Sequence, residues 1–262
     1  MHFTKMHGLG NDYLYVYGEP ENPSELSIKL SDRHFGAGSD GMIWISSSDT
    51  ADFKMRIFNA DGSEARMCGN GIRCVGKYVY DKGYTDKKRL TIETLSGLKT
   101  LDLRTVNGRV KSVSVDMGIA EVSRDRTLRA GGEDITCTPA SMGNPHAVIF
   151  VPDAETAALE KIGPAIEKHE AFPGGVNVEF VQVIDESTLR MRVWERGSGI
   201  TMACGTGACA SAAAAVSKNF CRPGEEISVI LDGGTLKIHV DDDFRITMTG
   251  PAETIYEGET EI

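Results

Sequence analysis

The chain has 262 residues, 40% hydrophobic and 25% charged, with 29 Gly and 9 Pro. These are the proportions of a folded protein of one large domain or two ordinary ones, and they exclude collagen-like and wholly disordered chains. Lys and Arg total 28 against 38 Asp and Glu, a formal charge of −10 that argues against nucleic acid or an anionic membrane as partner and leaves room for a local basic pocket.

Along the chain, Pro23-Ser24 opens a helix expected over 24–34, and the apolar run 41–45 predicts a strand. A helix is expected over 71–82, directly after a Cys-Gly-x-Gly motif, then a strand at 90–94. A strand-like alternation through Val110, Val113 and Val115 runs into Met117-Gly118. Strands are expected at 147–151, 178–183 and 236–240, and helices at 153–168 and, after a second Cys-Gly-x-Gly, at 207–218. The fold class is α+β, with one principal helix per half. No run approaches the ~20 apolar residues of a bilayer crossing. MHFTKMHGLGND reaches Gly and Asp before the apolar core of a signal peptide could form. A cytosolic protein is expected, with its six cysteines (68, 74, 137, 204, 209, 221) reduced.

The sequence repeats itself. KMRIFN at 54–59 reads against RMRVWE at 190–195, and MCGNG at 67–71 falls on ACGTG at 203–207; residue 54 to residue 190 and residue 67 to residue 203 are both offsets of 136. Leu95 and Gly97 fall on Leu231 and Gly233 at the same offset. Gly10-Asn11 with Leu14-Tyr15-Val16 resembles Gly143-Asn144 with Ala147-Val148-Ile149, an offset of 133. Two similar halves follow, expected to be related by a pseudo-twofold axis, with domains at 1–117 (plus 250–262) and 118–249.

Each motif reads strand, loop, Cys-Gly-x-Gly, helix. Glycines let backbone N–H groups approach a ligand, and a helix N-terminus attracts anions. A thiol there is expected to titrate below its ordinary ~8.5, as a base or nucleophile. Cys68 and Cys204 share this position. Cys74, Cys137, Cys209 and Cys221 read as small buried hydrophobes. The spacings are not Cys-x-x-Cys and no His pair is near, so no metal is expected and a redox pair is the weaker reading. No Rossmann, Walker or pyridoxal-phosphate site is recognised, and no cofactor is expected. Two equivalent thiols on opposite faces of one molecule suit inversion of a stereocentre: one removes an α-proton, the other delivers a proton, and both helix starts stabilise the developing charge.

The segments FNADGSEARMCGNGIRC (58–74), SMGNPHAVIFV (141–151), GVNVEF (175–180), WERGSG (194–199) and ACGTGA (203–208), with HGLGND (7–12) and RHFGAGSDG (33–41), resemble diaminopimelate epimerase over essentially the whole chain. The resemblance implies two α/β domains, each a barrel-like, mainly antiparallel sheet around a central helix, with the active site in the cleft between them. It implies Cys68 and Cys204 as the acid/base thiols and Asn11, Asn59, Asn144 and Asn177 as substrate-binding amides. Gly69-Asn70 and Gly205-Thr206 would give backbone N–H groups to the reacting carboxylate. Arg196 would grip the distal carboxylate and Glu195 the distal ammonium, while His146 and Glu195 would adjust the thiols. The activity implied is interconversion of LL- and meso-diaminopimelate in lysine and cell-wall precursor synthesis, by a homodimer. A racemase of another amino acid, of proline-racemase type, is the alternative. Two departures stand out: Gly41, where many relatives carry Gln, and Ile200, where relatives often carry an acidic residue.

Overall fold

Turn chemistry and alternation lay out the first sheet. The computed structural model describes residues 1–19 and 21–261. β1 (His2–Gly8) turns into β2 (Asn11–Tyr17) through Leu9 and Gly10, whose φ values of 59° and 87° are those of a two-residue hairpin turn that suits the twist of the strands. α1 (Pro23–Ser31), β3 (Gly41–Ser46), β4 (Phe53–Asn59), β5 (Glu64–Ala65), α2 (Gly69–Asp81), β6 (Arg89–Thr94), β7 (Gly97–Val106) and β8 (Arg109–Ile119) follow. In β3 five consecutive residues are buried, the pattern of a strand covered on both faces; in β6 burial alternates through Leu90, Ile92 and Thr94.

The second set repeats the first. β9 (Glu121–Val122), β10 (Arg126–Ala130), β11 (Glu133–Ser141), β12 (Pro145–Phe150), α3 (Leu159–Glu167), β13 (Asn177–Asp185), β14 (Thr188–Glu195), β15 (Gly199–Ile200), α4 (Gly205–Ser217), β16 (Glu226–Leu231), β17 (Gly234–Val240) and β18 (Arg245–Gly250) complete it. β1–β2, β3–β4, β6–β7 and β7–β8 pair antiparallel, while β2–β3 and β4–β6 pair parallel. β11–β12, β13–β14, β16–β17 and β17–β18 pair antiparallel, and β12–β13 and β14–β16 parallel, in the same order. β19 (Glu253–Glu259) returns to pair with β1.

By its contacts the chain divides into two compact units, Met1–Val115 with the stretch from Gly250 onward, and Asp116–Thr249. The break falls inside β8. Each unit is a mainly antiparallel sheet wrapped around one buried helix. In α2 every residue from Gly69 to Val79 is buried, and in α4 all but Thr206 and Ser217. A helix enclosed on all sides has no solvent face, so α4 is built from small residues: Ala208, Ala210, Ala212, Ala213, Ala214 and Ala215 are fully buried. Leucine at any of them would overfill the core, at about 1–3 kcal/mol. Arg73 of α2 is also fully buried; it donates to Pro251 O (3.1 Å), Gly69 O (3.0 Å) and Asn70 Oδ1 (3.1 Å), which offsets the cost of taking a guanidinium out of water.

Two helices are shorter than their apolar pattern predicts. α1 stops at Ser31 because Asp32 leaves helical geometry and its Oδ1 accepts the N–H groups of His34 and Phe35 (2.7 and 2.8 Å). α3 begins at Leu159 because Asp153 ties down the preceding turn, accepting from Glu155 N–H (2.9 Å) and Thr156 Oγ1 (3.0 Å). Among the described residues no helix is long and apolar enough to cross a membrane.

Candidate active site

In the first unit, β4 ends at Asn59 and the chain returns through β5 to Cys68, the N-cap of α2. Cys68 is extended (φ −138°, ψ 114°), so its sulfur faces the first turn and accepts from Gly71 N–H at 3.3 Å. A Cβ at Gly71 would stand 2.6 Å from Ile43 Cδ1, so that buried side chain would have to move. The Cys68 thiol donates to Asn11 Oδ1 (3.3 Å), and Asn11 Nδ2 donates to Asp40 Oδ2 (2.8 Å). Arg33 in turn bridges Asp40 and Asp12 at 2.9 Å each, with Lys5 on Asp12 (2.9 Å). Asp40 therefore aims the Asn11 amide, a role no sequence motif signalled. Asn70 turns its side chain inward to Arg73, leaving its backbone at the helix start, where first-turn N–H groups lie outside the helical ladder. Asn59 Nδ2 donates to Ser63 Oγ (3.0 Å) inside its own turn. Burial, then the nearby Cys68 and Asp40, push the Tyr13 hydroxyl well above its ordinary range.

Gly41 opens β3 at φ 157°, and a Cβ there would stand 2.2 Å from Phe58 O and 2.9 Å from Asn59 Cα. This backbone admits no side chain at position 41.

In the second unit Cys204 caps α4 in the same way (φ −115°, ψ 109°) and accepts from Gly207 N–H at 3.3 Å. Its sulfur also lies 3.6 Å from Thr206 Oγ1, and Thr206 Oγ1 accepts from Asn144 Nδ2 (3.3 Å). Asn144 Oδ1 faces His146 Nε2 (3.2 Å), and His146 Nδ1 lies 2.6 Å from Glu179 Oε1, with both side chains fully buried. Glu195 accepts from the Thr201 hydroxyl. Asn177 Oδ1 accepts the backbone N–H of Arg196 (2.9 Å), while the exposed Arg196 guanidinium donates to Gly174 O (2.8 Å). Glu167 braces this loop, accepting from Trp194 Nε1 (2.7 Å) and Gly197 N–H (2.9 Å). Ile200 is exposed on β15.

The charges reverse one expectation. Burial, then the Glu195 and Glu179 carboxylates, push the Cys204 thiol well above its ordinary range, and the Thr206 hydroxyl and Gly207 N–H only partly oppose this. A helix end carries about half a charge, which two carboxylates in a buried site outweigh. Glu195 is raised as well, by burial first, against hydrogen bonds from Thr201 and Cys204. Cys74, Cys137 and Cys221 are buried and pushed up to about 11, chiefly by burial; Cys209 is fully buried.

Of the residues singled out in the sequence, Asn11 meets Cys68, and Asn144, His146, Thr206 and Glu195 gather about Cys204. Glu179 was missed although it lies within GVNVEF; a carboxylate set between Val178 and Phe180-Val181 was the available signal.

The sequence pattern that defines the family described as diaminopimelate epimerase matches residues 3–123 and 138–255. The chain belongs to the diaminopimelate epimerase family. A diaminopimelate epimerase of Methanococcus maripaludis is 53% identical over the whole of both chains. Among solved structures, a PhzF-family phenazine biosynthesis protein of Bacillus anthracis superposes with a TM-score of 0.80 at 18% identity, covering 100% of this chain and 99% of that one. A hydroxyproline epimerase of Agrobacterium vitis, with bound trans-4-hydroxy-L-proline, gives 0.74 at 16% identity, covering 99% and 90%. At such identities these two show the fold alone. Membership of the diaminopimelate epimerase family makes the chain an isomerase.

Proposed function

We propose that the chain interconverts LL- and meso-diaminopimelate by two-base proton transfer between Cys68 and Cys204, without a cofactor, in lysine and cell-wall precursor synthesis. The observation that carries this is the matched placement of the two thiols. Each is the N-cap of its unit's one buried helix, 136 residues apart in the repeat, and each sulfur accepts the N–H of the third residue on.

In this reading the thiols act on opposite faces of one α-carbon. The first-turn N–H groups at Gly69-Asn70 and Gly205-Thr206 bind the reacting carboxylate and stabilise charge that grows as the α-proton leaves. Cys204, held as the thiol by burial and by Glu195 and Glu179, enters turnover as the proton donor, and Cys68 removes the α-proton. The roles exchange in the reverse direction. His146 and Glu195 adjust Cys204. Asn11, Asn59, Asn144 and Asn177 bind substrate amine and carboxylate groups, with Glu195 also accepting the distal ammonium. Arg196 presents a planar fork to the distal carboxylate. A cytosolic homodimer completes the reading.

The test is epimerisation of LL-diaminopimelate by dialysed protein in deuterated water, beside proline, lysine and glutamate. Conversion of diaminopimelate alone, with deuterium at the α-carbon of newly formed epimer and not of unreacted substrate at early times, supports it. Conversion of proline in preference would transfer the reading to the proline-racemase type.

A further inference from the structure

A line of polar side chains runs through the second unit from sheet to sulfur. It passes from Glu179 Oε1 to His146 Nδ1 (2.6 Å), from His146 Nε2 to Asn144 Oδ1 (3.2 Å), from Asn144 Nδ2 to Thr206 Oγ1 (3.3 Å) and from Thr206 to Cys204 Sγ (3.6 Å). Its direction is read from the Asn144 amide. An amide oxygen only accepts, so His146 donates through Nε2 to Asn144 Oδ1. Asn144 is then left to donate its amide hydrogen to Thr206. The Thr206 hydroxyl accepts it and keeps its own proton for the sulfur.

Glu179 is fully buried, and its second oxygen, Oε2, has no hydrogen-bond partner among the described residues. A buried carboxylate left half-satisfied is costly and calls for a reason. It also stands close to the thiol: a Cβ at Gly207 would be 2.8 Å from Glu179 Oε1 and 3.2 Å from Cys204 Sγ, so the two atoms are no more than about 6 Å apart. The first unit carries different groups at the matching positions. Ile43 pairs with Tyr15 as Glu179 pairs with Val148, which puts Ile43 in the place of Glu179, Tyr13 in that of His146, and Asn59 in that of Glu195. The titratable groups acting on Cys204 are Glu195 and Glu179, and Glu195 in turn feels Glu179, His146 and Cys204.

We infer that Glu179 is a positioning residue of the Cys204 half-site: by holding His146 through Nδ1 it fixes the orientation of the Asn144 amide and so turns the Thr206 hydroxyl proton toward the Cys204 sulfur. Its bearing on turnover rests on the two-thiol reading above. In Glu179→Gln the imidazole is free to offer a lone pair at Nε2. The Asn144 amide then reverses, and Thr206 donates to Asn144 instead of to sulfur.

A double-mutant cycle with Thr206→Val, which keeps the backbone N–H and the shape but removes the hydroxyl, tests this. One readout is kcat and KM for diaminopimelate. The other is the rate at which iodoacetamide modifies Cys204 in ligand-free protein at fixed pH, followed by peptide mass spectrometry. Glu179→Gln should lower kcat about tenfold or more at unchanged KM, yet less than about threefold when Thr206 is already Val. Its effect on the modification rate should shrink at least threefold in the Val background. Equal factors in both backgrounds, on both readouts, overturn the inference. If Glu179→Gln does not fold by circular dichroism, Glu179→Asp, which keeps the charge but draws the oxygens back, enters the same cycle. Non-additive modification of Cys204 in a protein that epimerises no amino acid would uphold the positioning role and refute the epimerase reading.

Discussion

Ile43 and Glu179 occupy the same register position in the two sheets, each packed behind the glycine that follows a cysteine-capped helix start. Ile43 Cδ1 lies 2.6 Å from where a Cβ of Gly71 would be, and Glu179 Oε1 lies 2.8 Å from the corresponding point on Gly207. The repeat keeps the shape of the thiol's seat and changes its charge. An aliphatic group lies behind Cys68 and a carboxylate behind Cys204, so two thiols of like geometry face different electrostatics.

Cys68→Ala or Cys204→Ala should each abolish inversion, because either loss leaves one face without its proton carrier. Serine keeps the shape but is a far weaker acid. A fall of ~10²–10⁴ in kcat is the expected scale for a general acid–base group. Either alanine variant, shown folded by circular dichroism and still turning over near the wild-type rate, would end the two-thiol mechanism.

Arg196→Lys should raise KM for diaminopimelate by about tenfold or more, the scale of a lost charged hydrogen bond, with kcat less affected. The backbone of Arg196 is held by Asn177 and its loop by Glu167, so the substitution leaves the loop in place. Unchanged steady-state kinetics would remove Arg196 from the distal pocket.

Stability should fall with alkali. Cys137 is buried and pushed up to about 11 from 9.0, by burial first. Between those values the unfolded chain releases a proton that the folded chain retains, so the stability present below pH 9 is lost as pH rises toward 11, by about 2–3 kcal/mol for this thiol. In Cys137→Ala the decline of melting temperature from pH 8 to 10.5 should be shallower than in the parent protein. Parallel declines would contradict it.

Gly41→Gln should destabilise the first unit by about 3 kcal/mol or more, since its Cβ would press into Phe58 O and the Asn59 backbone. Thermal unfolding gives the answer, and a melting temperature within a degree of the parent's would show that β3 and β4 yield easily.

The offset of 136 made the paired cysteines and their two helices legible because both halves use the same strand–loop–helix spacing, and α2 and α4 begin 136 residues apart. Helix ends were less legible. Asp32 and Asp153 bind neighbouring backbone and side-chain groups, and nothing in an apolar periodicity reports such a local turn. The raised Cys204 was illegible for a different reason. A motif places the thiol at a helix start, but one of the two carboxylates that overrule the dipole, Glu179, comes from β13 and reaches the thiol only through strand pairing. Glu179 could be read only once β12 and β13 were paired and brought it to His146.

The pairing of β1 with β19 joins His2 to Glu259. On the ribosome β1 therefore has one edge that stays unmatched until residues 253–259 have been made. The Asp116–Thr249 segment, continuous in the chain, is complete before then and is free to condense first. During that interval the exposed edge of β1, carrying Phe3 and Met6, is a template for strands of other nascent chains. Its only polar relief within those first seven residues is His2, Thr4, Lys5 and His7. The rate of synthesis through residues 253–259 thus bears on how much chain is lost to aggregation.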